Sequence, residues 1–96
     1  MQPNALDSTR FRFVDEVTEL CRGVFVFPQL PVTDEEDTHF EHFFTWAEGR
    51  KQADTFTDEL ALALKQGAEV SVLSACSHRG ITNIIRAVQE YFRRPR

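Results

Sequence analysis

The chain has 96 residues, 42% of them hydrophobic and nine of them Phe, with 11 Lys and Arg against 15 Asp and Glu for a net charge of −4. A chain this short forms one small domain that buries only about 60 to 65% of the surface it exposes when unfolded, and its apolar content excludes a disordered polypeptide. The acidic balance argues against an electrostatic footprint for nucleic acid; two cysteines, Cys21 and Cys76, are too few for a disulfide framework; and no apolar stretch reads as a signal peptide or membrane span, so a cytoplasmic protein with reduced thiols is expected.

Residues 1–9, with Pro3, Asn4 and Asp7, lack periodicity and read as a flexible end of the single domain 1–96. Arg10 to Val14 alternate charge with aromatic or apolar side chains, the period-two pattern of a half-buried strand. Asp15-Glu16 interrupts it, Val17 to Leu20 can resume it, and Arg22-Gly23 turns the chain into Val24-Phe25-Val26-Phe27. That unbroken β-branched and aromatic run suits a strand covered on both faces, ended by Pro28 and Pro31.

Residues 32–50 carry no decisive pattern. Asp34-Glu35-Glu36-Asp37 reads as a solvated acidic run, and Phe40, Phe43 and Phe44 at helical spacing favour a helix slightly over a strand. His39 and His42 stand three apart with no third donor of suitable chemistry nearby; structural zinc takes four ligands, so surface histidines are expected. Glu48 to Lys51 reads as a turn.

In Asp58 to Leu64 the leucines at 60, 62 and 64 share one face and Ala61 and Ala63 the other. The large face is expected to meet the core and the small one to let a helix or loop lie close. Lys65 to Glu69 is a glycine-containing connection of hairpin length, which makes this strand and Val70 to Leu73 antiparallel neighbours. Asp54, Asp58 and Glu59 are expected to solvate the strand entry, the alternative being that a carboxylate here is a partner to a metal ligand or a metal-binding group.

From Val70 the chain reads as strand, tight turn and helix. Ile81, Ile84, Ile85, Val88, Tyr91 and Phe92 form one apolar stripe at a 3.6-residue repeat, with Arg86, Gln89, Glu90 and Arg93 opposite. Gly80 or Ser77 supplies the helix start. Arg93 to Arg96 place cations at the helix end, with Pro95 as a stop. His78 is thereby held at the carboxyl edge of a sheet, beside a helix amino end, where anions and ligands gather in α/β proteins. Cys76, two residues away, lacks a third orienting group and reads as a small buried thiol rather than a nucleophile.

The run Leu73-Ser74-Ala75-Cys76-Ser77-His78-Arg79-Gly80-Ile81-Thr82-Asn83-Ile84-Ile85 resembles the Gly-Cys-Ser-His-x-Gly-Ile-x-Asn-Ile segment of the metallo-β-lactamase-fold hydrolases, and looks closest to the dihydropterin ribofuranosyl-aminobenzene phosphate synthase-like branch. The segments 13–20, 23–26 and 54–62 follow in the order of that branch, so the resemblance covers roughly Arg10 to Phe92. Ala75 replaces the usual glycine, and the family's His-x-His-x-Asp-His motif does not occur, so the chain resembles the middle of such a hydrolase.

The resemblance implies an α/β fold: one portion of an αββα sandwich, mostly antiparallel strands with a C-terminal helix. It implies that His78 is a metal ligand, with Ser77, Asn83 and Asp58 supporting the turn or its second shell. It further implies zinc or manganese, hydrolysis of phosphate or phosphoribosyl-type small molecules by a metal-bound hydroxide, and no retained metal or activity in this chain alone, because one histidine cannot hold zinc. The alternative is a metal-free scaffold or oligomerising interaction domain derived from that fold. Either way an exposed sheet face calls for a homo-oligomer or a complementing chain.

Overall fold

Strand Ala61–Gln66 is central because its alanines let other layers approach closely; we describe it from a computed structural model of residues 11–93. In chain order the elements are β1 (Thr18–Cys21), β2 (Val24–Phe27), a 3-10 turn at Glu35–Asp37, β3 (Phe44–Ala47), β4 (Arg50–Ala53), β5 (Ala61–Gln66), β6 (Glu69–Leu73) and α1 (Ile81–Arg93). β1, β2, β5 and β6 form one antiparallel sheet in the order β1-β2-β5-β6, and β3 and β4 form a separate two-stranded hairpin.

The register fixes the two faces of the main sheet. Phe25 opposes Ala63, which opposes Val72, and Phe27 opposes Ala61; all five residues lie on the face that α1 covers. Ile84 and Val88 of α1 are buried there, with Ala87, Tyr91 and Phe92 packed around them and Leu30 closing one side. The aromatic rings meet edge to face, Phe25 with Phe92 at 4.9 Å and Phe27 with Tyr91 at 5.3 Å. Each such pair contributes about 0.5 to 1.5 kcal/mol beyond the area it removes from water.

Ala63 is fully buried beneath the helix that the small face was expected to admit, whereas Leu60 and Leu64 are exposed, so the expectation that the large face meets the core is corrected. The helix demands close approach, and only a residue that ends at Cβ leaves room for the rings that α1 and β2 bring in. The core is therefore built on the alanine face. Val26, on the opposite face, is buried as well, in line with β2 being covered on both sides.

Two further expectations are corrected, and one segment that carries no decisive pattern is resolved. Residues 11–14 form no strand, and Phe13 is 95% exposed; an alternating pattern has no consequence without a neighbouring strand to pair with it. The 40–47 segment is not helical: Phe44–Ala47 pairs with Arg50–Ala53 around the turn at Glu48 and Gly49, both at positive φ. On α1, Ile81 (47% exposed) and Ile85 (41%) lie outside the core, while the amide side chain of Asn83 is buried in their place. The expectations for residues 1–9, Arg10 and the basic tail beyond Arg93 fall outside the described residues.

Candidate functional site

Between the end of β6 at Leu73 and the start of α1 at Ile81, the chain makes the turn that carries His78. Ser77 has φ +57° and Gly80 φ +107°, so two left-handed residues bracket the histidine. A serine in that region is strained by about 1 to 3 kcal/mol and persists where its surroundings over-determine it. The surroundings do so here through three side chains, two of them from distant parts of the sequence and one from the first turn of α1.

Glu59 is the first. One carboxylate oxygen accepts the His78 amide at 3.0 Å and the other accepts the Arg79 amide at 2.9 Å. Asp37 is the second: its Oδ2 accepts the amides of Thr82 at 2.7 Å and Asn83 at 3.1 Å, in the first turn of α1. Gly80 is the residue that begins the helix, since its carbonyl accepts from Ile84, and it has no side chain with which to cap. The carboxylate of Asp37 takes over that role, satisfying two of the amides that every helix start leaves unpaired and placing a negative charge at the positive end of the helix dipole.

Asn83 is the third. Its Oδ1 accepts from the Thr33 amide, the Thr33 hydroxyl and the Asp34 amide, and its Nδ2 donates to the carbonyls of Asp34 and Arg79. Five hydrogen bonds explain how an amide side chain only 1% exposed is tolerated in the core. Arg79 adds a further tie, with Nε to the Leu30 carbonyl and Nη1 to the Thr55 carbonyl, both at 2.7 Å.

The ring of His78 is half-buried between aromatic rings. It stacks on Phe56 at 4.1 Å with an interplanar angle of 11°, and Phe43 meets it edge-on at 4.7 Å. Nδ1 lies 2.9 Å from the His39 carbonyl, and the His39 amide donates to the His78 carbonyl at 2.7 Å. A carbonyl oxygen can only accept, so Nδ1 carries the hydrogen, and in the neutral ring the lone pair is on Nε2. This is how a ligating imidazole is oriented in metal centres: one nitrogen anchored to a protein oxygen, the other left to coordinate.

The acidic residues ahead of β5 divide into different roles. Asp54 accepts the Phe56 amide at 2.8 Å and so holds the ring that stacks on His78, with Phe56 itself at φ +54°. Asp58 is exposed in the turn that follows, and the carboxylate that reaches the histidine turn belongs to its neighbour Glu59. Ser77 bonds the Ser74 hydroxyl at 2.8 Å and does not cap the helix. Cys76 is exposed, which corrects the expectation of a buried thiol: the turn carries it away from the core.

Asp37 is the residue that reading the sequence missed altogether. It sits in a run of four acids whose character is that of solvated surface, and no spacing rule links it to a turn some 40 residues away. Glu59 was visible only as one of three acids before a strand.

A catalytic zinc centre needs three protein ligands and an open position. Among the described residues no group of three His, Cys, Asp or Glu side chains converges to hold a metal ion, and the carboxylates nearest the turn, Glu59 and Asp37, are occupied by backbone amides. The described residues supply one oriented imidazole and no converging set of ligands around it.

No family model matches the sequence, and no curated protein matches it. Among solved structures, Tm1679, a metal-dependent hydrolase of the β-lactamase superfamily, superposes with a TM-score of 0.73 at 27% identity, over 84% of this chain and 31% of that one. The fold is a portion of a metallo-β-lactamase-like fold. Antiparallel sheets with one C-terminal helix match the expected architecture, and the chain spans about a third of the length of Tm1679. No helix of the described residues is long and apolar enough to cross a membrane.

Proposed function

We propose that this chain is the histidine-bearing portion of a metal-dependent hydrolase of the dihydropterin ribofuranosyl-aminobenzene phosphate synthase-like kind, acting on small molecules with a phosphate or phosphoribosyl group. In this reading His78 is one ligand of a centre whose remaining ligands come from polypeptide beyond the described residues, and residues 11–93 alone neither hold the metal nor turn over substrate. The observation that carries the reading is the contact of His78 Nδ1 with the His39 carbonyl at 2.9 Å, which calls for the Nδ1–H tautomer and leaves the Nε2 lone pair as the donor.

Ser77, Asn83 and Glu59 act on the position of the ring rather than on substrate, and Asp54 acts through Phe56. Imidazole nitrogen NMR on the full chain tests the proposal. The spectrum is expected to show the Nδ1–H tautomer at neutral pH, and added zinc ions should shift Nε2 of His78 with millimolar affinity, an effect lost in His78→Ala. An Nε2–H tautomer, or zinc shifts confined to His39 and His42, would overturn it.

A second reading is favoured by one specific observation. The turn is braced by protein groups of the chain itself, Glu59, Asp37 and Asn83, which is what a metal-free scaffold that keeps the ancestral geometry would also require. Light scattering at several concentrations tests this second reading: a scaffold with an uncovered sheet face is expected to self-associate, and a clean monomer at every concentration would count heavily against it.

A further inference from the structure

The loop that follows β2 and the side of α1 enclose a groove of about 290 Å³. Its floor includes Phe27, Leu30 and Tyr91, and its rim carries Thr33, Arg86 and Glu90. The volume lies at the small end of the range for small-molecule sites, room for one ring with a short tail and too little for a peptide segment. The walls are preformed: Phe27 and Leu30 belong to the core, and Thr33 is fixed by its two hydrogen bonds to Asn83.

The rim carries one charge of each sign, Arg86 and Glu90, and they are not equally engaged. Glu90 is matched by Arg93 at 3.5 Å, whereas Arg86 has no carboxylate within ion-pair distance among the described residues. Its Nη1 donates to the Thr33 hydroxyl at 3.2 Å, and the rest of the guanidinium fork remains at the mouth of an apolar groove. That pairing selects a molecule with an apolar body and an anionic end, because a planar guanidinium binds a carboxylate with two parallel hydrogen bonds.

We propose that this groove is a binding site for a small amphiphilic carboxylate, its apolar body against Phe27, Leu30 and Tyr91 and its carboxylate on Arg86. The site is separate from the ring of His78; the segment from Leu30 to Asp34 that borders the groove is held in place by Arg79 of the histidine turn and Asn83 of α1.

The test titrates the full chain with 4-phenylbutyrate and, separately, with its uncharged amide, 4-phenylbutyramide, followed by amide NMR. The expected result is saturable shifts at residues 28–33 and 86–91, with the acid binding about three- to tenfold more tightly than the amide at low salt. Arg86→Gln, at an exposed helix position, keeps the fold and abolishes that preference. Ala87→Leu fills the groove and weakens both compounds about tenfold or more. Equal affinities for acid and amide, shifts that map elsewhere, indifference to Ala87→Leu, or no saturable binding up to the solubility limit would each overturn the proposal.

Discussion

Gly80 leaves empty the space that the carboxylate of Asp37 fills. A Cβ built on Gly80 would overlap Oδ2 of Asp37 and come within 2.7 Å of Nδ2 of Asn83, so the helix can be capped from another part of the chain only because the residue at its start has no side chain. Gly80→Ala therefore meets two penalties, the positive φ and the collision, and should lower stability by about 1 to 3 kcal/mol. Asp37→Ala should cost about 1 to 2 kcal/mol through loss of the cap. The double variant is expected to cost less than the two combined, since removing the carboxylate removes the collision. Urea unfolding of the four proteins checks this, and strict additivity would contradict the geometry.

Asn83→Leu is expected to be the most damaging of the site variants. It leaves the amides of Thr33 and Asp34 and the carbonyls of Asp34 and Arg79 without their partner inside the protein, at about 1 to 3 kcal/mol for each group left buried and unsatisfied. A midpoint of thermal unfolding lowered by ten degrees or more, followed by circular dichroism, is the measurement; a loss of only a degree or two would show that the segment 33–34 relaxes to find water.

Glu59→Ala should free the turn without disturbing the sheet. Hydrogen exchange at the His78 and Arg79 amides is expected to speed up by about tenfold or more, in step with loss of charge-assisted bonds worth about 1.5 to 3 kcal/mol each, while amides inside β5 keep their protection. Equal acceleration throughout would mean that Glu59 supports the whole domain rather than the turn.

The two faces of β5 can be told apart by substitution. Ala63→Leu forces a larger side chain beneath α1 and should cost about 1 to 3 kcal/mol, whereas Leu64→Ala, at a position 39% exposed, should cost about 1 kcal/mol or less. Denaturant midpoints for the pair decide it, and the reverse order would restore the leucine face as the core.

What could be read from the amino acids was whatever depends on near neighbours. The β5–β6 hairpin, the strand Val24–Phe27, the start of α1 and the turn position of His78 all follow from local alternation, helical spacing and glycine placement. The faces of β5 were half legible: the small face was expected to admit a helix and does, but alternation does not show that the core is built there rather than on the leucine face. The helix stripe was right at Ile84 and Val88 and wrong at Ile81 and Ile85, where Asn83 takes the buried position by satisfying segment 33–34. The hairpin at 44–53 was obscured because its two aromatics, Phe44 at 57% and Trp46 at 74%, are exposed, and exposed rings obey no burial period. The braces on the His78 turn were hidden for a related reason: Asp37 and Glu59 act on backbone amides, which have no identity in sequence.

Those braces also decide what a fragment could do. A synthetic peptide spanning residues 70–93 would contain every letter of the recognisable motif and would lack Asp37, Glu59, the His39 carbonyl and the Thr33–Asp34 backbone. Its imidazole would sample both tautomers and all orientations, so the motif becomes a fixed donor only when segments that were synthesised some 20 to 50 residues earlier have come to rest beside it.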